Sequence, residues 1–143
     1  MTLFAGIAAA FFTYRNVQAM AANVPPPRVP ANLDVLKVIP GVWGWKFDFM
    51  QSCTENPQTI TVSSNRQRVA VRYAKPIWNG SKSVDLIEFE VVTTSPDTLV
   101  LGVPAQGGAT SRARVTLRFD DADNYDLKRS DMALPMAVVR CPP

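Results

Sequence analysis

The chain has 143 residues, enough for one domain with a single core of ordinary size, and its 47% apolar content is that of a globular protein and not of a disordered one. Lys and Arg exceed Asp and Glu by three, with both signs interspersed, so the clustered cations that mark a nucleic-acid binder are missing and no nucleic-acid partner is expected. His is absent altogether, which excludes a Ser-His-Asp triad, a Cys-His dyad and any His-ligated zinc site.

Residues 1–21 read as a targeting segment. Leu3 to Phe12, LFAGIAAAFF, is an apolar run of the length of a signal-peptide core and too short to span a bilayer comfortably. Ala19-Met20-Ala21 then offers a small-residue cleavage site before Ala22. The two residues ahead of the run carry no positive charge, so an uncleaved anchor facing an oxidising compartment, which would place residues 3–20 at a membrane, stands as the alternative to a periplasmic or secreted protein. Residues 22–40 form a linker. The part from Asn23 holds five of the chain's twelve prolines and is extended at first, with one short helical turn expected within ANLDVLKVI.

The folded domain is expected over 41–143. PGVWGWKFDFMQSC sets Trp43, Trp45, Phe47 and Phe49 on every second residue, with Gly44, Lys46 and Asp48 between them. Side chains alternate across a pleated strand, so a strand running to Cys53 would gather the four rings on one face. Short strand signals follow in TITVS, RVAVRYA, VDLIEFEVVT, TLVLGVP, RARVTLRFD, YDLKRSD and MAVVRC, with KPIWNGSKS read as a loop around an Asn-Gly turn. In RARVTLRFD, Ala113, Val115, Leu117 and Phe119 face in, while Arg112, Arg114 and Arg118 face out. Those arginines are weighed as partners for Glu88 and Glu90, by long side chains or a different strand order. About eight strands with short connections make antiparallel neighbours and an all-β, up-and-down antiparallel barrel, wide enough to fill with side chains or to hold one small ligand.

Cys53 and Cys141 are the two cysteines, and in an exported chain such a pair is expected as a disulfide tying the end of the chain to its first strand. A short helical turn followed by Gly41-Val42-Trp43 at the start of the first strand, ahead of a meander, resembles the lipocalin-like proteins of the calycin superfamily and their G-x-W motif. The resemblance implies an eight-stranded barrel plugged at one end, with Trp43 across the closed end and an arginine covering it, for which Arg140 and Arg129 are the candidates.

Two readings of the aromatic column stay open: a filled core, or a cavity lined by Trp45, Phe47, Tyr73 and Phe89 for an apolar ligand. The acidic run Asp120 to Asp126 lacks the glycine and the distal glutamate of a calcium loop and reads as an exposed turn. No nucleophile elbow, phosphate loop or metal spacing is present, and Glu88 and Glu90 lie on a wet face where nothing would raise a carboxyl pKa for acid–base work. The expectation is a non-enzymatic protein without cofactor that carries or senses a small hydrophobic molecule. The alternative is an accessory subunit that meets a protein partner through its outer surface.

Overall fold

The computed structural model describes residues 31–103 and 113–143, so the expected signal segment, the first part of the linker and Arg112 lie outside the described residues. The alternating segments form eight strands: β1 Gly41–Trp45, β2 Gln58–Val62, β3 Arg68–Trp78, β4 Ser83–Thr94, β5 Thr98–Gly102, β6 Arg114–Asp121, β7 Asn124–Arg129 and β8 Met136–Arg140. Each pairs antiparallel with the next, and β8 returns to β1 through Trp43 opposite Arg140 and Trp45 opposite Val138, which closes the barrel. Closure leaves no strand edge unpaired. Of the arrangement the resemblance implied, the eight-stranded closed antiparallel barrel is present.

The inward set follows the period of two. Ile60, Val69, Val71, Leu99, Leu101, Val115, Leu117, Phe119, Tyr125 and Val138 are buried on successive strands. One end is stoppered by α1, Val35–Val38, whose Val35 and Leu36 join Ile39 in the core. The stopper is fastened from outside by Leu33 N–H donating to Pro96 O at 2.7 Å and by an ion pair between Asp34 and Arg66. That pairing holds the Asp34 carboxyl below its ordinary pKa.

Beneath the stopper, Trp43 is fully buried and its indole N–H donates to Ile39 O at 2.8 Å. Tyr125 and Phe119 pack around it, with ring centroids 4.8 and 6.4 Å away. Of the two candidate arginines, Arg140 covers the tryptophan, its guanidinium carbon 4.2 Å from the ring centroid. The guanidinium also donates to Val38 O, Pro40 O, Ala122 O and the Asp123 carboxylate, at 2.7 to 3.2 Å. One side chain thereby ties the stopper, β8 and the β6–β7 turn together. Gly41 makes room for it: its φ is +140°, and a Cβ there would stand 2.5 Å from Arg140 Nη1.

The first strand is shorter than its alternation suggests. β1 ends at Trp45, and Asp48 accepts a hydrogen bond from Met50 N–H, which starts a 3-10 turn over Phe49–Gln51 and reverses the chain. Phe47 and Phe49 are therefore 84% and 72% exposed instead of joining the inward column. The reversed chain passes back over β1, where Cys53 packs on Gly44: a Cβ on Gly44 would lie 2.4 Å from Cys53 N. Cys53 is bonded to Cys141, 88 residues away, with 5.4 Å between the Cα atoms, which is the mark of an oxidising compartment.

One further segment differs from the sequence reading. Lys75–Trp78 extends β3 past a register shift between Arg72 and Ile77, and only Asn79–Lys82 turns, with Asn79 Oδ1 accepting from the N–H groups of Ser81 and Lys82. Glu90 and Glu88 oppose Arg68 and Ala70 on β3, and β5 lies between β4 and β6, so a pairing of the two glutamates with Arg114 or Arg118 would have to reach across β5, where Glu90, Gly102 and Arg114 stand in register.

Replacing Arg140 with Met is expected to lower stability by about 3 kcal/mol, because it removes a cation–π contact and several charged hydrogen bonds at once; urea unfolding with the disulfide intact measures it. Reduction of Cys53–Cys141 is expected to remove up to about 4.5 kcal/mol, the chain-entropy value for a loop of this length, seen as a lower denaturation midpoint in reductant.

Candidate functional site

The far end of the barrel is hollow. Odd strands run from the stopper to this end and even strands run back, so the open end is framed by the β1–β2 connection, the β3–β4 turn and the β7–β8 connection. Between them lies a cavity of about 940 Å³, reached past Met50, Asn79, Lys82 and Met132. Its walls are Trp45 from β1, Tyr73 and Ile77 from β3, Ile87 and Phe89 from β4, Val115 from β6 and Leu127 from β7. This volume suits one ligand of modest size.

Of the residues expected to line a cavity, Trp45, Tyr73 and Phe89 do so. Phe47 does not: it stands outside, with Lys46 Nζ 5.5 Å above its ring, because the chain has already left the strand. Gly41, Trp43 and Arg140 are gathered at the opposite, stoppered end. The β3–β4 turn and the end of β3 contribute Trp78, Asn79 and Lys82 to the lining, while residues 104–112 lie outside the described residues.

Sequence reasoning missed Arg129, which it weighed only as a cover for Trp43. The parity signal was available: Tyr125, Leu127 and Arg129 alternate along β7, and Arg129 opposes the buried Val115. Arg129 lines the cavity and is held by Asp131, with Nε and Nη2 each donating to a carboxylate oxygen at 3.0 Å. Gln58 was missed as well. It is 3% exposed, on the inner face opposite Trp43 and Tyr73.

The buried polar side chains on and beside β1 and β2 fall into two kinds. Asn56 is fully used: its Oδ1 accepts from Lys75 N–H at 2.7 Å, and its Nδ2 donates to Lys75 O at 3.1 Å and Gln51 Oε1 at 3.4 Å. These bonds pin the β1–β2 connection to β3. Trp45 Nε1 and Gln58 Nε2, by contrast, are buried and have no hydrogen-bond partner. Burial also raises the Tyr73 phenol pKa above its ordinary value, partly offset by the charge of Arg129, and burial drives Tyr125 further up in the same direction.

Among the described residues no group of three His, Cys, Asp or Glu could hold a metal ion. In the acidic turn, Asp121 accepts from Asp123 N–H and from the Asn124 amide, which holds its carboxyl below the ordinary range. Among the same residues no helix is long and apolar enough to cross a membrane.

Because Tyr73 and Tyr125 keep their protons longer in the barrel than in the unfolded chain, stability is expected to be full below about pH 10, the ordinary tyrosine value, and to fall as the pH rises past it. Tyrosinate absorbance should lag behind that of free tyrosine and appear together with loss of the folded circular-dichroism signal.

Comparison of the chain with protein-family models, with curated proteins and with solved structures finds no match.

Proposed function

We propose that this protein is an exported, lipocalin-like barrel, periplasmic or secreted, that binds a small hydrophobic molecule as a carrier or sensor and does no chemistry on it. The cavity of about 940 Å³ at the open end is the observation that carries this reading. A barrel that existed only for its outer surface would be expected to fill that space with side chains, as its other half does around Trp43, Phe119 and Tyr125. Trp45, Phe89 and Leu127 supply apolar wall, and a few polar groups, Tyr73 and Arg129 among them, share it, the usual arrangement of a small-molecule site.

A second reading, an accessory subunit that meets a protein partner, is favoured by one observation. Phe47, Phe49, Met50 and Trp78 are each at least 70% exposed, and Met50 and Trp78 stand at the cavity, so large apolar side chains cluster at this end. The two readings separate in solution, since only the first requires the interior to be occupied.

Intrinsic tryptophan fluorescence titrated with a panel of fatty acids, retinoids and quinones tests the proposal. Saturable quenching by one class is expected, with Trp45→Ala weakening it about tenfold or more while the fold is retained, in line with the loss of a large buried apolar contact. A response that never saturates for any class would set the carrier reading aside in favour of a partner at the outer surface.

A further inference from the structure

Resting on the reading of the cavity as a binding site, we infer that its ligand carries a hydrogen-bond acceptor, a carboxylate or carbonyl oxygen, which the indole N–H of Trp45 receives inside the barrel. Trp45 Nε1 is buried at the cavity wall and bonded to nothing, although the other buried indole, Trp43, has its acceptor in Ile39 O at 2.8 Å. A buried N–H left without a partner is costly, and native proteins satisfy nearly all such groups with protein, water or ligand.

The second orphan has the same sense. Gln58 Nε2 is also a donor without a partner, on a side chain 97% buried that opposes the lining residue Tyr73. Gln58 opposes Trp43 as well and stands outside the cavity lining, but among the described residues both buried side-chain atoms without a partner are donors, and what they lack is an acceptor. A ligand headed by an ammonium group brings only further donors, whereas a ligand headed by an oxygen acceptor answers Trp45 directly. The Tyr73 phenol, within electrostatic reach of Arg129 and held neutral by burial, adds an O–H on the same wall. Asp131 already holds Arg129 bidentately, so the inference names the acceptor atom and not a negative charge.

The test uses the full chain with its disulfide formed and a neutral apolar fluorophore, N-phenyl-1-naphthylamine, displaced by decanoic acid, methyl decanoate and decylamine. The acid and the ester are expected to displace it about tenfold more tightly than the amine, and Trp45→Phe, which keeps a ring and deletes the N–H, should abolish that preference while the fluorophore still binds. The acid and the ester compared with each other report whether charge adds anything. A second readout does not depend on the variant: in a proton–nitrogen correlation spectrum of the unaltered protein, the Trp45 indole resonance should move downfield with acid or ester and not with amine. Equal displacement by all three compounds, or an unmoved Trp45 resonance, would overturn the inference and leave the cavity reading intact, since water would then be the acceptor. Failure of the fluorophore and of all three compounds to bind would overturn both.

Discussion

Arg140 holds the structure at the point where closure and stoppering meet. As the last residue of β8 it pairs with Trp43 across the seam of the barrel, and its guanidinium spreads over the indole while reaching the backbone of α1's far end and of the β6–β7 turn. Without a cation at that place, the carbonyls of Val38, Pro40 and Ala122 would lose a shared donor at the rim of a hydrophobic plug. Gly41 is the sequence's accommodation of this arrangement, since any side chain there would collide with the guanidinium. Gly44, one strand face away, makes the same kind of concession to Cys53. Two glycines flanking one tryptophan thus allow the inner clasp and the outer disulfide to grip β1 from opposite sides.

Much of this was legible because β-strands announce themselves through alternation, and a closed barrel applies the same rule on every strand. Ile60, Val71, Leu117 and Phe119 all fell where parity put them. The failures have local causes. Alternation continued through Phe47 and Phe49, but a single Asp48 carboxylate capping Met50 N–H ended the strand first, and short-range hydrogen bonding of that kind leaves no trace in hydrophobic period. The Asn-Gly pair suggested a loop over 75–83 where β3 in fact continues to Trp78, and the register shift between Arg72 and Ile77 accommodates Pro76.

The choice between Arg129 and Arg140 turned on strand direction, which composition does not carry. Both lie on the inner face at the end of their strands. β7 runs toward the open end and β8 runs back, so the same residue type clasps the plug in one case and faces the cavity in the other. The orphaned donors of Trp45 and Gln58 were beyond sequence reasoning for a different reason: they are defined by the partners missing around them, and only three-dimensional packing reveals that.

The plug also decides how the molecule is held. Leu33 meets Pro96 at the stoppered end, and β8 delivers Cys141 to Val42 near the same end, so the chain both joins and leaves the barrel on the side away from the cavity. Whatever grips the polypeptide ahead of Leu33 or beyond Cys141 therefore grips it by its base, like a cup fixed to a wall by its foot. The opening and its collar of exposed aromatics would then look outward, free to meet a visitor without the attachment standing in the way.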